Sequence, residues 1–195
     1  MSAGRGHLVA IGASWGGLET LRTIFARLPA ELDAAIVVAQ HRAPESHRTA
    51  FRDILDKVTE LHVCEADDKD ELRAGVVYVA APDYHLLVEG GTLALSTEGP
   101  VQYARPSIDV LFESAAEAYR EGCIGVVLTG ANEDGSLGLA RIVELGGTAI
   151  VQDPATAVRA EMPNGAIAAV PDARVADPDG IADAIVEVCG VRAVA

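Results

Sequence analysis

Three chemically useful side chains in this 195-residue sequence each follow an apolar run: Ser14 after Leu8–Ile11, His41 after Ala34–Ala39, and Asp134 in the loop after Cys123–Leu128. Together they could make a hydrolytic relay, with a hydroxyl nucleophile, an imidazole general base and a carboxylate that orients the imidazole. The reaction class would be acyl transfer to water through a covalent ester on the serine. In such a relay the carboxylate faces Nδ1 of the imidazole, so a hydrogen bond between His41 Nδ1 and Asp134 is expected. Ser14 sits in Gly12-Ala13-Ser14-Trp15-Gly16-Gly17, where strand pattern passes directly into helical periodicity. A turn of this kind presents the hydroxyl outward beside unpaired N–H groups of the helix start.

Each residue also has a simpler use. A serine between glycines can cap a helix, a histidine after a strand is often structural, and an aspartate in Gly-Ala-Asn-Glu-Asp-Gly is a turn former. Glu133 and Asp153 are rival carboxylates on loops at the same sheet end. A glycine-rich strand-to-helix turn can also cradle a phosphate. Here Ser14 stands where the dinucleotide motif needs glycine, the next strand ends in Gln40-His41 rather than an acidic residue, and Leu18-Glu19 replace a Walker lysine.

The elements that must position these residues alternate. A helix is expected from Leu18 to Leu28, closed by Pro29, then the buried strand Ala34–Ala39. A polar loop over Arg42–His47 leads to a helix with the stripe Phe51, Ile54, Leu55 and Val58. Leu61–Cys64 and Val76–Ala80 read as strands. Leu86–Val88 and Thr92–Leu95, joined through Glu89-Gly90-Gly91, read as a β-hairpin. Ser96–Arg105 carries no period. Pro106-Ser107 opens a helix with Ile108, Leu111, Phe112, Ala115 and Tyr119 on its apolar face. After Cys123–Leu128 come a helix over Leu137–Leu145, a strand over Thr148–Val151, a short helix over Ala155–Glu161 broken by Met162-Pro163, and a helix over Gly180–Cys189. Alternation of this sort predicts an α/β fold: a doubly wound three-layer αβα sandwich with a mostly parallel sheet and a β-hairpin addition. Residues 1–195 are read as one domain.

Half the residues are hydrophobic, enough for one sizeable core, and 15 basic against 29 acidic residues leave a net charge of −14. That balance argues against nucleic acid or an anionic membrane as partner. No apolar run is long enough to span a bilayer and Met1–His7 is too short for a secretory signal, so a cytoplasmic location is expected. Cys64, Cys123 and Cys189 form no Cys-x-x-Cys pair, and the five histidines lack metal spacing. No cofactor and no metal are expected.

Over nearly its whole length the sequence resembles the CheB-type chemotaxis protein-glutamate methylesterases. The resemblance is carried by Gly12-Ala13-Ser14-x-Gly16-Gly17, Gln40-His41, Tyr78-x-Ala80-x-Pro82 with His85, and Arg105-Pro106-Ser107-Ile108-Asp109-Val110-Leu111-Phe112. It continues through Leu128-Thr129-Gly130 with Asp134-Gly135, then Gln152-Asp153-x-Ala155-Thr156 with Met162-Pro163. It implies Ser14 as nucleophile, His41 as base and Asp134 as orienting carboxylate. It also implies hydrolysis of glutamate methyl esters, and deamidation of glutamines, on the helical cytoplasmic region of chemoreceptors. Oxyanion donors are expected from backbone N–H groups near Ser14 and Ala131, with Trp15 and Gly16 beside the substrate.

Three departures stand out. Trp15 replaces the usual small residue or threonine, and Ala131-Asn132 replace Met-Gly in the loop before the aspartate. The amino-terminal phospho-receiver domain usual in the family has no counterpart in Met1–His7, so a cleft without a built-in switch is expected. Two other readings stay open: a non-catalytic scaffold that kept the fold, and an esterase for a different substrate.

Overall fold

The computed structural model describes residues 6–43 and 48–193. Most of the expected loop over 42–47 lies outside the described residues. The first strand, β1 (His7–Ala13), runs into α1 (Gly17–Phe25), and β2 (Ala34–Gln40) follows with all seven residues buried. Next come α2 (Arg48–Asp56), β3 (His62–Glu65), β4 (Val76–Val79), and the antiparallel hairpin β5 (His85–Glu89) and β6 (Thr92–Ser96), which forms a separate two-stranded sheet. The second half comprises α3 (Ile108–Tyr119), β7 (Cys123–Val127), α4 (Ser136–Glu144), β8 (Thr148–Gln152), α5 (Glu161–Ala169), β9 (Arg174–Ala176) and α6 (Pro178–Cys189). Among the described residues no helix is long and apolar enough to cross a membrane.

Seven strands form one wholly parallel sheet in the order β3-β4-β2-β1-β7-β8-β9. Because side chains alternate along a strand, each central strand feeds two cores. Val9, Ile11, Ile36, Val38, Ile124 and Val126 pack with α1, α2 and α6, while Leu8, Ala10, Val37 and Val127 pack with α3, α4, α5 and the hairpin. That is the three-layer sandwich. The chain leaves β1 toward β2 on one side and returns as β7 on the other, so strand order reverses between β1 and β7. Ligand sites in open α/β sheets lie at such a switch, beyond the carboxyl ends of the strands.

Local details differ from the sequence expectation. Met162-Pro163 does not break a helix but starts one: α5 begins at Glu161, and Pro163 sits in its first turn, where a missing N–H costs nothing. Residues 154–156 make only a short 3₁₀ turn. Helix α1 ends at Phe25, although Leu28 is still buried, and Ile54 of α2 faces solvent while Phe51 and Leu55 are covered. The edge strand β9 is three residues long and mostly exposed, too short to leave a periodic signal.

Gly12 has a role beyond turn flexibility. A Cβ there would collide with Ile108 Cγ2, and one on Gly135, whose φ is +98°, would lie 2.6 Å from the same atom. Both glycines clear space for the first turn of α3 against the carboxyl end of the sheet. Gly12→Ala is therefore expected to cost about 1–3 kcal/mol through overpacking. Ile108→Ala should restore part of that loss in the double variant, read as coupling in a thermal-melt cycle. Strictly additive melting shifts would show that the two positions do not compete for space.

Candidate active site

The register of β1 and β2 pairs Ala13 with Gln40, so Ser14 and His41 leave the sheet side by side on neighbouring strands. Backbone bonds fix both: Ser14 N–H donates to Thr129 O at 2.9 Å and His41 N–H to Ala13 O at 3.0 Å. Between them the buried Gln40 amide clamps the two carbonyls, with Nε2 donating to Ser14 O at 2.7 Å and to His41 O at 3.0 Å. A side chain on Gly17 would collide with that amide. The Ser14 hydroxyl has no hydrogen-bond partner among the described residues.

Asp134, in the loop between β7 and α4, is completely buried against the start of α3. Its Oδ2 accepts from His41 Nε2 at 2.8 Å and from Ile108 N–H at 2.8 Å, and its Oδ1 from Ser107 Oγ and Asp109 N–H, each at 3.0 Å. Burial alone would raise its pKa. The bonds from His41, Asp109 N–H and Ile108 N–H outweigh that and hold the carboxyl below the usual range. The helix amino terminus acts in the same sense. Behind it, Asp109 is raised, by burial first and by the nearby Asp134 charge.

The ring nitrogen differs from expectation. Asp134 meets Nε2, not Nδ1. The carboxylate lies across the switch on the α3 side, where the distal nitrogen of the imidazole reaches it. Nδ1 has no hydrogen bond among the described residues. Of the rival carboxylates, Asp153 caps the 3₁₀ turn through Ala155 N–H at 2.9 Å, and among the described residues neither it nor Glu133 bonds to His41.

The Thr129–Asn132 loop is drawn against Ser14. Gly130 has no room for a Cβ, which would collide with Met162 Sδ and lie 2.9 Å from Ser14 Cβ. Thr129 Oγ1 lies 2.9 Å from Trp15 O as donor and accepts from Arg159 N–H at 2.9 Å, while Thr129 N–H donates to Gln152 Oε1 at 2.9 Å. Neither Trp15 N–H nor Ala131 N–H donates to an acceptor among the described residues. One follows Ser14 directly in the chain and the other follows Gly130, which lies against Ser14; donors without an acceptor are what an oxyanion site requires. Gly16, with φ +84°, turns the chain into α1, and Trp15 is 67% exposed.

Beside His41 opens a cleft of about 500 Å³, lined among others by Arg42, Asp83, Gln102, Tyr103 and Asn132. The thiols offer no rival nucleophile: burial pushes Cys64 up to about 11 and Cys123 and Cys189 up to about 12, so all three stay protonated at neutral pH. Sequence reasoning missed the supporting roles of Ser107, Gln40, Thr129 and Gln152. Ser107 was legible as a helix cap, but its contact with Asp134 spans 27 positions and leaves no local trace.

A family model described as CheB methylesterase matches residues 9–185. A candidate protein-glutamate methylesterase/protein-glutamine glutaminase of Leptospira interrogans is 48% identical over 162 residues, covering 83% of each chain. A protein-glutamate methylesterase/protein-glutamine glutaminase of Symbiobacterium thermophilum is 40% identical over 185 residues, and this chain spans 51% of its length. The crystal structure of the Thermotoga maritima CheB methylesterase catalytic domain superposes with a TM-score of 0.90 at 34% identity, covering 94% of this chain and 99% of that one.

Proposed function

This chain belongs to the CheB methylesterase family, and we propose that it is a serine hydrolase that removes methyl esters from protein glutamates, with glutamine deamidation as the second reaction of the same site. The observation that carries the reading is the His41–Asp134 hydrogen bond placed on the strand next to Ser14. His41 Nδ1 accepts the Ser14 proton as Oγ attacks the ester carbonyl. Asp134 holds the tautomer through Nε2 and stabilises the imidazolium. Trp15 N–H and Ala131 N–H receive the oxyanion, each worth about 3 kcal/mol in the transition state if it resembles other single donors. The intermediate collapses, the C–O bond to methoxide breaks, and His41 returns the proton so that methanol leaves. Water, deprotonated by the same nitrogen, then hydrolyses the acyl-enzyme to the glutamate carboxylate. With glutamine the leaving group is ammonia.

The substrate in this reading is the helical cytoplasmic region of a chemoreceptor or related signalling protein, met in the cytoplasm. Nucleic acid and membrane insertion play no part, in keeping with the net charge of −14. Residues 1–195 work as one catalytic unit. The direct test is methanol release from a glutamate-methylated receptor helix. Purified protein that releases none, under conditions where it is folded, overturns the proposal.

Trp15 places a large exposed ring next to the nucleophile, and the neighbouring Gly16 lies close to Val158, which is also exposed. Its contribution is contact area with an incoming segment. Trp15→Thr should lower kcat/KM for a protein ester several-fold more than for p-nitrophenyl acetate. Parallel changes on both substrates would remove Trp15 from substrate fit.

A further inference from the structure

The sequence Val101-Gln102-Tyr103-Ala104 folds as a two-residue hairpin turn, with Val101 and Ala104 exchanging backbone hydrogen bonds of 3.1 and 2.9 Å. Both central residues have positive φ, +48° at Gln102 and +64° at Tyr103, as in a type I′ turn. Such a turn favours Asn-Gly; a tyrosine in the left-handed region is strained. Local preference and structure conflict here, and conflicts of this kind cluster at functional sites.

The strain has a structural consequence. Gln102 points inward, Nε2 donating to Asp109 Oδ2 at 2.8 Å, and Asp109 N–H in turn bonds to Asp134. The base of the loop is held as firmly. Buried His85 joins Gly99 O through Nε2 to Ser107 N–H through Nδ1, each at 3.1 Å, and Arg105 donates to the carbonyls of Thr97 and Glu98 at 2.9 Å. On this braced support the Tyr103 side chain is fully exposed, and the turn borders the cleft that opens at His41. A ring carried on a turn whose backbone is already fixed binds without the cost of ordering the loop.

We propose that this turn is the substrate-reading element of the site, with Tyr103 packing its ring against the helical protein segment that carries the glutamyl ester. The assignment rests on the methylesterase reading above. Gln102 and Asp109 are positioning residues that fix the turn relative to Asp134. Because the ring acts on the surrounding segment and not on the reacting ester, it separates protein substrates from small ones.

The test compares wild type and Tyr103→Gly on a glutamate-methylated helical peptide and on p-nitrophenyl acetate, together with thermal melts. Glycine suits the turn, so Tm should rise. The ratio of kcat/KM for peptide to kcat/KM for the small ester should fall about tenfold, mostly through KM of the peptide. An unchanged ratio overturns the proposal, and so does a lower Tm, which would make the ring a structural prop. Failure of wild-type protein to hydrolyse the peptide removes the methylesterase reading and this assignment with it; the wild-type control distinguishes that result from an unchanged ratio.

Discussion

Ser14→Ala is expected to abolish hydrolysis of both a glutamate-methylated peptide and a small activated ester, with a loss of kcat on the order of 10⁶, while the protein melts close to wild type. The first half follows from the nucleophile. No other group takes its place: the three thiols are protonated at neutral pH, and an activated water without Ser14 keeps only the oxyanion donors and binding. The second half follows from the geometry. The Ser14 backbone carries the contacts to Thr129, Gly17 and Gln40, and the alanine variant retains all of them. Its hydroxyl bonds to nothing among the described residues, so removal leaves no buried partner unsatisfied. Kinetics and a thermal melt on the same preparations decide it. Equal rates in the two proteins would dismiss the hydrolase reading, and a large drop in Tm would give Ser14 a structural role.

Asp134→Asn should lower kcat by about 10⁴ and, unlike Ser14→Ala, also lower stability. The carboxylate accepts four hydrogen bonds in a completely buried position, two on each oxygen. An amide can keep only one oxygen. If its NH₂ faces His41, it opposes Ile108 N–H and forces the wrong tautomer; if it faces Ser107, it opposes Asp109 N–H and leaves the imidazolium without an anion. Either orientation leaves a backbone donor unpaired, at about 1–3 kcal/mol. The pH dependence has a definite sign. Because Asp134 is held below its unfolded value of about 4, its contribution to stability is present above that pH and is lost as pH falls through the folded value. Melts between pH 2 and 7 should show the variant missing that acid-side decline. A variant within tenfold of wild-type kcat would mean that another group orients His41.

How far the site could be read ahead of its geometry depends on the range of the interactions involved. Ser14, His41 and Asp134 were visible because each follows an apolar run, and strands of a parallel sheet bring their carboxyl ends to one edge. Asp134 over Glu133 and Asp153 was a different matter: all three lie on loops at that edge, the resemblance favours Asp134, and the physical reason, the position of the α3 amino terminus, is visible only in the fold. Ser107 Oγ, Ile108 N–H and Asp109 N–H converge on Asp134, and no periodicity in either segment encodes that meeting.

The sequence by itself determined the alternation of strands and helices, the serine turn and the family, because these are written in local patterns of side-chain type. Tertiary structure decided the strand order that brings β1 and β7 together, the choice of Nε2 for Asp134, the start of α5 at Glu161 with Pro163 in its first turn, and the braced turn beneath Tyr103. Each of these depends on which distant surfaces can approach. Gly12 and Gly135 admit Ile108, Gly130 admits Met162, and Gly17 admits Gln40; the space a missing side chain leaves acquires meaning only when the chain that fills it has folded against it.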